Sequence, residues 1–258
     1  MTNKLVELAK LAEKRVTDGY YDTDISVGRQ HASLVTAIRS CKHTPVITEI
    51  KYASPSAGTI RGAEPALRIA KEMIAGGACA LSILTDPNSF QGGLHILAEV
   101  AENTKLPLIM KDIIVSPRQL RAAANCGADA VVLISELFTE GLALVPMSVM
   151  REEAARLNLE TVIEAHDSSE FGKIPALKPD LYGINNRNLS NFEVDLETTR
   201  RILSETKPQP RPVISESGIE TASDIELLRL AGAQAFLVGT SIMRSPNVEG
   251  KVRELVNA

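Results

Sequence analysis

A chain of 258 residues with 44% hydrophobic residues can bury a full core, and its length fits one barrel domain of roughly 250 residues. The formal charge of -4 argues against a broad nucleic-acid surface but leaves room for a local basic pocket holding a small anion. Cys41, Cys79 and Cys126 are odd in number and lack a Cys-x-x-Cys pair, which suits a reducing cytoplasm better than a disulfide framework; Cys79 and Cys126 read as packing residues.

The amino terminus interleaves Lys4, Glu7, Lys10 and Glu13 with apolar residues, so neither a signal peptide nor a membrane span is expected. Leu5, Leu8, Ala12 and Val16 recur at helical spacing and predict an amphipathic helix over 2–16, stopped by Gly19. A second helical run covers 33–38. Residues 1–45 thus form a helical extension, too short for a core of its own and expected to pack on the domain that follows.

The first strong strand, from Val46, runs into Glu49-Ile-Lys51 and turns at Ser54-Pro55-Ser56. Strand side chains alternate, so Glu49 and Lys51 share one face at the strand's carboxyl end. Residues 64–76 predict a helix with Pro65 near its start, and a continuously apolar strand follows over 77–85. Gly77-Ala-Cys-Ala, Gly127-Ala-Asp-Ala and Gly232-Ala-Gln-Ala each open such a strand after an apparent helix, which marks an internal repeat. Further apolar runs at 108–110, 161–163, 181–184 and 212–214 bring the strand count to eight.

Eight strand-helix pairs imply an α/β chain closed into a single (β/α)8 TIM barrel over 1–258, since no Pro/Gly/Ser-rich linker divides it. A doubly wound open sheet is the alternative. It lacks support because no Gly-x-Gly-x-x-Gly follows the first strand and polar residues end nearly every strand.

In a barrel, the carboxyl ends of the strands surround one mouth. That places Glu49, Lys51, Lys111, Glu164, Asn185, Arg187 and Glu216 in one cup. Lysines among carboxylates keep their ammonium form, which suits a proton donor or anion clamp and not a Schiff-base amine. Glu164 is available as a general base. Ser217-Gly218 and Gly239-Thr240 end the last two strands, with helices expected after each, and read as a phosphate cradle. His31, His43, His95 and His166 show no metal-ligand spacing, and no metal is expected. His166 reads as a supporting or structural group.

Glu49-Ile-Lys51-Tyr-Ala-Ser-Pro-Ser56, Leu84-Thr-Asp-Pro-Asn-Ser-Phe-Gln-Gly92, Met110-Lys-Asp112, Glu164-Ala-His166, Gly183-Ile-Asn-Asn-Arg-Asn-Leu189 and Ser215-Glu-Ser-Gly-Ile219 together resemble the indole-3-glycerol phosphate synthase family from about Val46 to Arg244. The resemblance implies a cofactor-free carboxy-lyase (EC 4.1.1.48) of tryptophan biosynthesis. It would convert 1-(2-carboxyphenylamino)-1-deoxyribulose 5-phosphate into indole-3-glycerol phosphate, releasing CO2 and water. By the same resemblance Lys111 is the general acid at the ribulose carbonyl. Lys51 neutralises the substrate carboxylate and assists dehydration, and Glu164 exchanges a proton in that step. Glu49 and Glu216 orient lysines and hydroxyls, while Asn185 holds the intermediate.

Ser54, Arg187, Ser217, Gly218, Gly239 and Thr240 fall where the family holds phosphate or its neighbours. Phe90, Leu189 and Leu133 are candidates for the apolar side of the pocket, with core packing the commoner fate for Leu133. Residues 5–19 are expected to act as a lid. Three positions depart from the family: Ile113 where Phe is frequent, Ala57 where Lys is common, and Ala165 where Val is usual. They bear on substrate affinity and ring packing, not on the charged set.

Two other readings stand beside this one. A phosphoribosylanthranilate isomerase needs acid-base work without decarboxylation, and the Lys51, Lys111, Glu164 set argues against it. A catalytically silent phosphate-binding barrel would tolerate loss of the charged residues, all of which are present. The partner expected is a phosphorylated small molecule, with no nucleic acid or membrane, for a monomer or weak homo-oligomer.

Overall fold

The computed structural model describes residues 3–62 and 64–258. Two helices precede the barrel, α1 (Lys4–Thr17) and α2 (Leu34–Ser40). Eight parallel strands follow: β1 (Val46–Ile50), β2 (Ala80–Leu84), β3 (Leu108–Lys111), β4 (Ala130–Ile134), β5 (Glu160–Ala165), β6 (Leu181–Asn185), β7 (Val213–Glu216) and β8 (Ala235–Val238). They close in chain order, β1 pairing with β2 at Ile47↔Ala80 and with β8 at Val46↔Phe236. A short antiparallel hairpin, Ala53–Ser54 with Gly58–Thr59, stands above β1.

The outer ring holds α3 (Ala66–Ala75), α4 (Leu94–Asn103), α5 (Pro117–Asn125), α6 (Ser135–Thr139), α7 (Met147–Arg156), α8 (Ser168–Phe171), α9 (Glu197–Glu205), α10 (Ala222–Ala231), α11 (Thr240–Arg244) and α12 (Val248–Val256). Local chemistry sets several of these starts. Ser116 and Gln119 form a capping box ahead of α5, with Pro117 in its first turn, and Thr221 with Asp224 does the same for α10.

The repeat in the sequence has a structural cause. Gly77, Gly127 and Gly232 adopt φ of +103°, +82° and +112°, the left-handed conformation that ends α3, α5 and α10 before the chain enters β2, β4 and β8. The strands are buried almost throughout and mostly apolar because they are covered on both faces, by helices outside and packed side chains within.

The extension divides its work between the two ends of the barrel. Leu34, Val35 and Ile38 of α2 join Ile47, Ala80, Ile109, Val162, Leu181 and Ile214 in an apolar plug across the amino-terminal end. Glu160 anchors it by accepting hydrogen bonds from the Ser33 hydroxyl and the Leu34 N–H, both at 2.6 Å. At the carboxyl end, α1 starts on Asn3, whose side chain accepts from the Leu5 N–H. It buries Leu5, Leu8, Ala9, Ala12 and Val16, and each buried leucine contributes roughly 1.5–3 kcal/mol. The sequence-based start at Thr2 lies outside the described residues.

Candidate active site

The carboxyl ends of the strands enclose a cavity of about 330 Å³. Glu49, Lys51, Lys111, Glu164, Asn185, Arg187 and Glu216 all line it, as alternation along their strands requires. Ser54, Phe90, Leu189, Ser217, Gly218, Gly239 and Thr240 also reach it.

The charged residues form two sets. Lys51 Nζ donates to Glu49 Oε1 at 2.7 Å. Lys111 Nζ donates to Glu164 Oε2 at 2.7 Å and to Glu216 Oε2 at 2.5 Å, while Asn185 Nδ2 donates to Glu164 Oε1 at 2.7 Å. Burial opposes the Lys111 ammonium, but Glu164, Glu216 and Glu49 outweigh it and raise its pKa. Glu216 is also raised, which for a carboxyl favours the neutral form: desolvation first, then repulsion from Glu164, pushes it up to about 8 against the pull of Lys111. Its Oε1 is buried without a hydrogen-bond partner, which suits an oxygen carrying the proton.

Two glycines make room for this arrangement. A Cβ at Gly183 would stand 3.0 Å from Glu216 Oε1, and one at Gly239 would stand 2.6 Å from Glu49 Oε1. Gly239 therefore seats Glu49 in addition to lining the cavity. The cradle differs from expectation in a second respect. α11 begins directly after Gly239, but α10 begins only at Ala222, so no helix starts at Gly218. Ser217 and Gly218 instead take consecutive left-handed conformations, φ +71° and +79°, with the Ser217 carbonyl accepting from Asn186 Nδ2 at 3.1 Å.

Arg187 lines the cavity as a cation without a carboxylate partner among the described residues. Its Nη1 donates to the Phe192 carbonyl at 2.9 Å and the Ser56 hydroxyl at 3.3 Å. Burial lowers its pKa while Glu49 opposes the shift. Arg244, at the end of α11, lines the same cavity and was not anticipated from the sequence.

Phe90, Leu189, Leu8 and Ile134 supply apolar lining. Leu133 does not: it alternates with Ile134, faces outward and is wholly buried in the core. Of the three departures, Ala57 and Ile113 line the cavity, whereas Ala165 packs outward with Ile163 and Phe171. His166 stands outside the main cavity, with Nδ1 3.3 Å from Glu170 Oε2 and 3.7 Å from Glu136 Oε2. Its bond to Glu170 raises its pKa against desolvation. Ligand atoms of His166, Asp167 and Glu170 lie within 4.8 Å of one another, a grouping the histidine spacing had not suggested.

A buried network around Arg15 also escaped the sequence reading. Arg15 Nη2 pairs with Asp86 Oδ2 at 3.0 Å and Asp112 Oδ1 at 3.2 Å, and Tyr21 and Thr85 hydroxyls donate to Asp112 Oδ2 at 2.9 and 2.6 Å. Asp86 Oδ1 accepts from the Asn88 and Ser89 N–H groups, fixing the loop that carries Phe90. The network ties α1 to the ends of β2 and β3 beside Lys111. The signal was present, since Arg15 continues the Leu5, Leu8, Ala12 stripe where an apolar residue belongs.

Among solved structures, the barrel resembles thiamine phosphate pyrophosphorylase from Pyrococcus furiosus (TM-score 0.59, 18% identity, 82% of this chain and 93% of that one). It also resembles N-acetylmannosamine-6-phosphate 2-epimerase from Clostridium perfringens (TM-score 0.63, 17% identity, 85% and 94%). At such identities the likeness is of fold alone. Sequence relatives are closer. Indole-3-glycerol phosphate synthase of Koribacter versatilis is 41% identical over 211 residues, covering 82% of this chain and 79% of that protein. The protein of the same name from Rhodopirellula baltica is 43% identical over 203 residues, covering 79% and 76%. The family model for indole-3-glycerol phosphate synthase matches residues 2–255, and the chain belongs to that family of carboxy-lyases of tryptophan biosynthesis.

Proposed function

We propose that the chain closes the indole ring of 1-(2-carboxyphenylamino)-1-deoxyribulose 5-phosphate by general acid-base catalysis. The observation that carries this reading is the single Lys111 ammonium shared by Glu164 and Glu216 at the floor of the cavity. Lys111 protonates the ribulose carbonyl oxygen as the carboxylate-bearing aryl carbon attacks the carbonyl carbon, the C–C bond forming while the C=O π pair moves to that oxygen. Loss of CO2 restores the aromatic ring, and loss of the former carbonyl oxygen as water gives indole-3-glycerol phosphate.

Lys51 neutralises the substrate carboxylate and assists departure of the hydroxyl. Glu164, oriented by Asn185, removes the proton in the dehydration. Glu49 steers Lys51, and Glu216 in its protonated form donates to a substrate hydroxyl from the otherwise unpartnered Oε1. Arg187, Ser54, Ser217, Gly218, Gly239 and Thr240 receive the anionic ends of the substrate, and Phe90 and Leu189 pack on its ring. The 330 Å³ cavity accommodates a ligand of this class.

No described helix is long and apolar enough to cross a membrane. The proposed working form is a single-domain cytoplasmic monomer or weak homo-oligomer that uses no cofactor, with α1 covering the bound substrate. The test is indole fluorescence after adding the carboxyphenylamino-deoxyribulose phosphate in the presence of EDTA. Turnover is expected; binding without turnover would instead establish a silent phosphate-binding barrel.

A further inference from the structure

His166, Glu170 and Glu136 converge beside the main cavity from two different loops. His166 follows β5 and Glu170 lies in α8, while Glu136 sits in the first turn of α6, after β4. His166 Nδ1 is 3.3 Å from Glu170 Oε2 and 3.7 Å from Glu136 Oε2. Asp167 adds a third carboxylate, with its ligand atom inside the same 4.8 Å grouping as those of His166 and Glu170. It is held there by capping α8, its Oδ1 accepting from the Glu170 N–H at 2.8 Å.

Glu170 is only 8% exposed, yet its Oε2 is buried without a hydrogen-bond partner. His166 Nδ1 stands close to that oxygen but is not aligned to donate to it. A buried carboxylate oxygen left in this way costs free energy unless something else meets it. Beside the group lies a void of about 10 Å³, lined by Glu136, Glu164, His166, Glu170 and Arg187. That is close to the room one water needs.

We propose that His166 Nδ1, Glu170 Oε2 and Glu136 Oε2 bind one divalent cation of the zinc class, with water completing its shell, and that the ion staples the exits of β4 and β5 together. Zinc bonds of about 2.0–2.1 Å at the tetrahedral angle hold two donor atoms about 3.3–3.4 Å apart. The His166–Glu170 separation has that value, and the Glu136 carboxylate needs a shift of a few tenths of an ångström to reach it. An imidazole with carboxylates selects zinc and its transition-metal neighbours over calcium or magnesium, which prefer an all-oxygen shell. The three carboxylates of Glu136, Asp167 and Glu170 outnumber the one cation on the void, Arg187. The ion takes no part in turnover, which is expected to continue in EDTA.

The experiment titrates zinc into the untagged full-length chain, freed of metal with EDTA and then of EDTA, and follows binding by calorimetry and the thermal midpoint. One site per chain is expected, with a midpoint that rises as free zinc rises. His166→Ala should abolish both effects, and Glu170→Gln should weaken binding at least about tenfold, with folding of each variant checked by circular dichroism. Cobalt in place of zinc should give the visible absorption of a tetrahedral ion without the near-ultraviolet band that a thiolate adds. Cys41 Sγ, 3.4 Å from His43 Nδ1, is the rival donor pair, and Cys41→Ser should leave binding unchanged. Absence of saturable binding, binding retained in His166→Ala, or binding lost in Cys41→Ser would each overturn the proposal. The first of these would leave His166 as the ion-pair partner of Glu170 and nothing more.

Discussion

The ammonium of Lys111 lies 2.5 Å from Glu216 Oε2, and the other oxygen of Glu216 is buried without a hydrogen-bond partner. One side of this carboxyl faces a cation and the other faces no donor. Desolvation prevails and holds its pKa at about 8, above the ordinary 4.5.

A pH dependence of stability follows. Between pH 4.5 and 8 the folded chain holds a proton that the unfolded chain has released. The contribution of this group is therefore full below the lower value and is lost as pH rises through the upper one. Urea unfolding across that window should show Glu216→Gln with a flatter decline of stability toward alkaline pH than the unsubstituted protein. Parallel declines would assign the slope to other groups.

Gly239→Ala separates two roles of one residue. The added Cβ would stand 2.6 Å from Glu49 Oε1, so the carboxylate that accepts from Lys51 has to move. The expected outcome in steady-state kinetics is a kcat at least about tenfold lower, the scale on which misplaced catalytic groups act. A raised KM with kcat unchanged would mean that Gly239 serves only the phosphate.

Arg15→Met leaves Asp86 and Asp112 buried without their cation. Removing one partner of a buried ion pair costs about 3–5 kcal/mol, and the urea midpoint should fall accordingly. A loss below about 1 kcal/mol would show the network to be as weak as a surface pair.

Arg187 has no carboxylate partner among the described residues, so none of these competes with an anion for its guanidinium, which holds the Phe192 carbonyl and the Ser56 hydroxyl through Nη1. Hydrogen bonds to a charged group contribute about 1.5–3 kcal/mol, and Arg187→Ala should raise KM roughly ten- to hundredfold with a smaller change in kcat. An unchanged KM would remove Arg187 from the anion site.

Much of the fold was legible because its causes are local. Left-handed glycines before β2, β4 and β8 and doubly covered strands write themselves into the sequence as Gly-Ala-x-Ala followed by apolar runs. The mouth was legible for a related reason: charge at the end of an apolar strand stands out. What stayed hidden depends on docking. Nothing in the periodicity of α1 and α2 tells which end of the barrel each covers, and Glu160 and Asp129 hold the extension from strand starts that look like ordinary solvated acids. Leu133 was open to correction by alternation, since Ile134 beside it faces the cavity. The seat that Gly239 gives Glu49 required coordinates, because β8 and β1 meet only when the barrel closes.

The most direct test of the central claim is to measure turnover and binding separately in Lys111→Ala. General acid catalysis is typically a factor of about 10²–10⁴, so kcat should fall by at least that much while phosphate-dependent substrate binding stays largely intact by calorimetry. Turnover and binding lost to the same degree, in a variant that remains folded by circular dichroism, would contradict the role given to Lys111 and the mechanism built on it.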